Sequence, residues 1–155
     1  MNSDFMREAI RISTEKMRVN QGGPFGAVIV RDGTVVGRGW NQVTTSNDPT
    51  AHAEVVAIRD ACKNLKTFKL DECEIYTSCE PCPMCLAAIY WSRLKGGYYA
   101  NTRKDAADIG FDDDFLYTQI GLPLGERTLV LEQCLHDEAL KTFLEWKTKL
   151  DKTPY

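Results

Sequence analysis
The first apolar positions, Phe5, Ala9 and Ile12, with Ile10 and Met17 nearby, recur every three to four residues, the spacing of one helix face. Ser3 stands ahead of them as a residue type that caps a first turn. Asn20-Gln21-Gly22-Gly23-Pro24 ends that pattern, and two β-rich runs, residues 25–30 and 34–40, flank Arg31-Asp32-Gly33 as an antiparallel hairpin. The polar stretch 41–50, with Asp48-Pro49, predicts a loop. Helical spacing returns over 55–65, placing His52 and Glu54 at the opening of that helix. A third strand is expected over 72–77, a helix over 83–91 and a fourth strand over 95–100. The helix is apolar nearly all round and should therefore pack against the sheet. Residues 101–115 are acidic and glycine-bearing and predict a loop, 128–131 a fifth strand, and 136–150 a closing amphipathic helix. No repeat, low-complexity tract or linker divides the chain. The element order predicts a single α/β domain over 1–155, with helices covering a mixed sheet.

At 155 residues the chain matches one domain with a sizeable core. Cysteines at 62, 73, 79, 82, 85 and 134 could form three disulfides. The start, Met1-Asn2-Ser3-Asp4-Phe5, has no basic or apolar targeting region, and no apolar run reaches membrane-spanning length. A soluble cytoplasmic protein with reduced thiols is the expectation, which leaves Cys62, Cys73 and Cys134 as small apolar core residues. A net charge of −3 and a pI near 5.4 give no broad attraction to phosphate backbones. A small uncharged substrate fits better than nucleic acid, and no membrane partner is expected.

Two short segments carry the chemistry: His52-Ala53-Glu54 and Pro81-Cys82-Pro83-Met84-Cys85. One imidazole and two thiolates leave a tetrahedral zinc ion a fourth position, which catalytic sites fill with water. Such an ion lowers the pKa of its water to about 7, so hydroxide becomes available at neutral pH. The Cys82-to-Cys85 step puts both sulfurs on one side of a helical turn, and prolines suit the start of that helix. A helix N-terminus also favours thiolate. Glu54 is offset by two residues from His52, so it suits a proton shuttle beside the metal better than a ligand. Taken singly, His-x-Glu recurs by chance, and Pro-Cys-x-x-Cys also marks structural zinc or a redox pair. Together, in this order, they form the signature of zinc deaminases. Cys79, three residues before Cys82, reads either as a core thiol or as a fourth ligand that would close the site and make the zinc structural. His136 opens a distant helix, where a solvated or capping role suits it.

The chain resembles the cytidine deaminase superfamily and, within it, looks most like the small bacterial guanine-acting branch. The likeness rests on Gly22-Gly23-Pro24-Phe25-Gly26-Ala27, on Asn41, on Asp48-Pro49-Thr50-Ala51-His52-Ala53-Glu54 and on Thr77-Ser78-Cys79-Glu80-Pro81-Cys82-Pro83-Met84-Cys85. Gly110-Phe111-Asp112-Asp113 and Tyr155 point to the guanine-type branch. The resemblance implies a three-layer α/β/α fold with a mixed five-stranded sheet. It also implies one Zn²⁺ per subunit held by His52, Cys82 and Cys85, with Glu54 as catalytic proton shuttle. The implied reaction is hydrolytic deamination of guanine to xanthine and ammonia. Guanosine, adenosine in tRNA and cytosine stay open as substrates of the same chemistry.

Asn41 can pair with a purine edge, and Asp113 can accept from N–H groups that guanine presents and adenine lacks. Phe25 is either a stacking face or a core ring, and Trp91 either walls the site or packs in the core. Ala53, between ligand and shuttle, and Tyr155 complete the base-contacting set. By the same resemblance, the tail 149–155 closes over a pocket, its own or that of a partner subunit in a homodimer.

Overall fold
The computed structural model describes residues 1–154. The first helix, α1 (Ser3–Arg18), is capped by Asn2 and not by Ser3: the Asn2 side chain accepts from the Asp4 amide at 2.9 Å, and Ser3 is already helical. Ala9 and Ile12 are buried, whereas Ile10 and Met17 face out. Strands β1 (Gly26–Arg31) and β2 (Thr34–Trp40) pair antiparallel. They meet at Asp32-Gly33, both at positive φ (48° and 73°), the turn geometry that follows the twist of the strands. β3 (Cys73–Cys79) runs antiparallel to β1, and β4 (Gly96–Asn101) runs parallel to β3, giving the order β2-β1-β3-β4.

The period-two alternation of strand side chains builds two cores, one on each face of this sheet. Val28 and Val30 of β1 and Tyr76 of β3 pack with Ile12, Phe5 and Met6 of α1. Ala27 and Ile29, with Cys73 and Ile75, pack against Ala53, Ala57 and Ala61 of α3 (Ala53–Leu65). The result is the expected three-layer α/β/α arrangement around a mixed sheet, but with four strands and not five among the described residues. Residues 128–131 form no strand, and Leu129, Val130 and Leu131 are exposed. A strand needs a partner for its backbone groups, and this segment has no ladder partner in the sheet of its own chain.

The polar stretches are less loop-like than predicted. A short helix, α2 (Val43–Ser46), lies within 41–50. Within 101–115, α5 (Arg103–Asp108) starts at a capping box in which Thr102 and Asp105 bond reciprocally. α4 (Pro83–Trp91) has the predicted limits, yet only Cys85 along it is buried. Leu86, Tyr90 and Trp91 are exposed, Trp91 by 70%, which removes the core reading of that ring within this chain. Cys134 is likewise exposed and no core residue, and all six cysteines are free thiols.

The contacts divide the chain into a unit over Met1–Phe115 and a second from Leu116 onward. α6 (Asp114–Gly121) straddles that boundary. In the second unit Gln119 Oε1 accepts from the Thr128 amide at 2.8 Å, and Arg127 Nε donates to the Leu122 carbonyl at 2.9 Å. α7 (His136–Thr148) follows, with Phe143, Leu144 and Trp146 exposed. His136 at its start is exposed, its Nδ1 3.2 Å from Asp137. Among the described residues no helix is long and apolar enough to cross a membrane.

Candidate active site
His52 and Cys82 occupy equivalent places: each is the extended residue that caps a helix, α3 and α4 respectively, and neither spends its side chain on the cap. Both side chains are therefore left for other work. Pro83 sets the first turn of α4 and brings Cys85 round beside Cys82. The start of α3 is pinned by close approach to β2, since a Cβ on Gly39 would lie 2.1 Å from the Ala53 carbonyl oxygen and 2.4 Å from the Ala57 nitrogen. No side chain fits there, so His52, Ala53 and Glu54 are held tightly against the sheet.

His52 Nδ1 lies 3.6 Å from Cys82 Sγ and 3.5 Å from Cys85 Sγ, and the three donor atoms all fall within 4.8 Å of one another. Tetrahedral zinc with ordinary Zn–N and Zn–S bonds separates its nitrogen and sulfur ligands by about 3.5–3.6 Å, so the donor set fits zinc in type and in spacing. Cys79 is outside the cluster. Its thiol contacts the Thr102 carbonyl at 3.7 Å, and burial pushes it up to about 11. The fourth-ligand reading of Cys79 thus loses its geometric basis, and a three-donor site remains.

The charges are tightly linked. Hydrogen bonding from Cys85, and then from His52, draws Cys82 down to about 4. Cys85, the donor toward Cys82 and itself buried, is pushed up. The Cys82 contact raises His52, and the negative charges of Glu54 and Asp113 add to that effect. Glu54 is 5% exposed, and burial raises its carboxyl above the ordinary range, opposed by a hydrogen bond from Thr77. A carboxylate in that position holds a proton more readily than one in water, as a shuttle must.

Asn41 is buried, and its Oδ1 accepts from the Gly23 amide at 3.4 Å and the Val43 amide at 3.3 Å, so it braces the loop that carries it. Phe25 is half-buried and packs against the α3-side core, while its ring meets Phe111 edge-on at 4.9 Å between centroids. Asp113 is partly buried and raised first by desolvation and then by Cys82, which places its charge within reach of the cluster. Ala53 is fully buried. Tyr155 lies outside the described residues. Two residues were given no role in the sequence reading. Phe111 was visible only as part of the Gly110–Asp113 run and Thr77 only as the start of the Thr77–Cys85 run, although strand alternation puts Thr77 on the same face as Cys73 and Ile75.

A cluster of one imidazole and two thiols beside a buried carboxylate, on an α/β/α sheet, defines a water-activating metal centre with three protein donors. The chain belongs to the cytidine and deoxycytidylate deaminase family, whose zinc-binding region matches residues 1–101. It is 52% identical to the guanine deaminase of Bacillus subtilis over 97% of both chains. The X-ray structure of a Bacillus subtilis guanine deaminase superposes with a TM-score of 0.97, covering 100% of this chain and 99% of that one at 52% identity. The structure of a guanine deaminase from Nitrosomonas europaea gives a TM-score of 0.67 at 31% identity over 70% of this chain and 63% of that one. A tRNA-specific adenosine deaminase of Haemophilus influenzae is 34% identical over 79% of this chain and 71% of its own.

Proposed function
We propose that this protein hydrolyses guanine to xanthine and ammonia. The buried Glu54 carboxylate beside a three-donor cluster carries the reaction class. The choice of base is supported by the likeness to the Bacillus guanine deaminase across nearly the whole of both chains. His52 Nδ1, Cys82 Sγ and Cys85 Sγ would hold zinc. When bound, the ion supplies Lewis acidity that makes water a nucleophile at neutral pH.

Glu54 takes a proton from the attacking water and gives it to the ring nitrogen next to C2 of guanine. It then helps a proton onto the departing amino group, so water is consumed and ammonia leaves. Burial favours the protonated carboxyl between these two transfers.

Asp113 accepts from the N1 and 2-amino hydrogens of guanine. With adenine the same partly buried carboxylate would stay unpaired, which disfavours that base. Asn41 commits Oδ1 to its loop, which leaves the Nδ2 amide to donate to a purine acceptor. Phe25, steadied by Phe111, is a stacking face, Ala53 backs the site between ligand and shuttle, and the tail 149–155, with Tyr155, closes a pocket, its own or that of a partner subunit.

Homodimerisation is supported by apolar surface left bare in both units, Tyr90 and Trp91 on α4 and Phe143 and Leu144 on α7, and by the unladdered segment 128–131. Six free thiols are in keeping with the cytoplasm. The test is ammonia release by the zinc-loaded protein from guanine, guanosine, adenine, cytosine and cytidine. Guanine alone should turn over at a substantial rate; adenine or cytidine turning over faster would overthrow the reading.

A further inference from the structure
Of the buried hydroxyls, that of Thr77 touches the proton shuttle. Thr77 is 2% exposed and sits on β3, a strand flanked by partners on both sides: Ala27 of β1 and Tyr99 of β4 lie opposite it. Strand alternation directs its side chain to the α3 face, where its Oγ1 donates to Glu54 Oε1 at 2.9 Å across 23 residues of sequence. Threonine is β-branched and stiff at χ1, so a donor on an internal strand is nearly immobile. Glu54, by contrast, has three side-chain torsions and lies in the first turn of α3.

We propose that Thr77 is a positioning residue for the proton shuttle. By holding Oε1, its hydroxyl fixes the carboxylate plane and leaves Oε2 as the oxygen that exchanges the proton with water and then with substrate. The hydrogen bond is charge-assisted when Glu54 is ionised, and it forms without cost at the moment of reaction because both partners are already buried in place. The inference rests on the shuttle role of Glu54, and it adds that the role depends on a specific donor outside the two motif segments.

The test compares Thr77→Val, which keeps the shape and removes the donor, with Thr77→Ser, which keeps the donor. With guanine, Thr77→Val should lower kcat by about tenfold to hundredfold, the range expected when a reacting group is misplaced by around 1 Å, with KM and zinc content unchanged. Thr77→Ser should keep kcat within a few-fold of the parent. A readout independent of turnover is the ¹³C resonance of the Glu54 carboxyl in protein labelled at glutamate, identified by its loss in Glu54→Gln. That resonance should move in Thr77→Val and return in Thr77→Ser. Parental kcat in Thr77→Val, or an unmoved resonance, would overturn the proposal. So would a loss of kcat matched by loss of zinc or by an equal loss in Thr77→Ser. If the parent itself does not act on guanine, the guanine reading fails, while the carboxyl resonance still decides the role of Thr77.

Discussion

The two units of this protein treat their apolar residues in opposite ways. Met1–Phe115 encloses a core on each face of its sheet and sets His52, Glu54, Thr77, Cys82 and Cys85 on elements pinned by that packing. From Leu116 onward no described residue is buried, and Phe143 is 76% exposed. Chemistry needs groups held to within a fraction of an ångström, and only the first unit has the packing to do so. The second unit leaves apolar residues bare on α7 and over 129–131, features that gain their stability when another surface covers them.

The sharpest way to break this division is Glu54→Gln. General acid–base catalysis is worth about 10²–10⁴-fold, so ammonia release should fall by at least two orders of magnitude while zinc stays bound. Stability should move the other way. Burial raises the folded-state pKa of Glu54 above its ordinary 4.5, so the folded state binds the proton more tightly than the unfolded one. The wild type accordingly loses stability as pH rises from that value, and the glutamine variant is spared the loss. Its melting temperature should exceed that of the wild type at pH 7 and approach it below pH 4.5. Near-parental turnover would show that the shuttle lies elsewhere.

Zinc loading gives the next largest effect. Ligands bind zinc deprotonated, so each proton displaced makes affinity fall about tenfold per pH unit on acidification. Cys85 is pushed up and retains its proton through neutrality; His52 is raised from 6.5 and joins it as pH falls. Competition with a chromophoric chelator from pH 8 to pH 6 should show a slope that steepens from about tenfold toward about a hundredfold per unit. A flat profile would contradict the three-donor set.

The smallest change comes from the second unit. Deleting residues 151–155 should remove one side chain's hydrogen bond from the closed pocket, worth about 1 kcal/mol, and lower kcat/KM roughly fivefold to tenfold. Melting temperature should stay within about two degrees, since residues 151–154 bury little. Unchanged kcat/KM would refute the closing role of the tail.

The same division explains what could be read from the amino-acid order alone. The metal cluster was legible because its ligands sit at two helix N-caps and one i,i+3 step, all local patterns. The hairpin was legible in Asp32-Gly33. Local reading had less purchase where a partner outside the segment decides the outcome. Residues 128–131 have strand composition but no ladder, and α4 looks like a core helix yet leaves Tyr90 and Trp91 bare. Asn2 displaced Ser3 as cap because the two types compete closely and one residue of register separates them. The Thr102–Asp105 capping box was readable in principle, but the surrounding acidic, glycine-bearing composition masked it. Thr77 needed the sheet itself, because only folding brings it to Glu54.

The most direct measurement of the central claim is the product of guanine turnover in H₂¹⁸O, analysed by mass spectrometry beside the Glu54→Gln variant. Xanthine carrying one ¹⁸O, formed together with one ammonia per guanine by the parent and at least a hundredfold more slowly by the variant, is the predicted result. Absence of labelled xanthine from the zinc-loaded parent, or its formation by the variant at the parental rate, would contradict hydrolysis by this site.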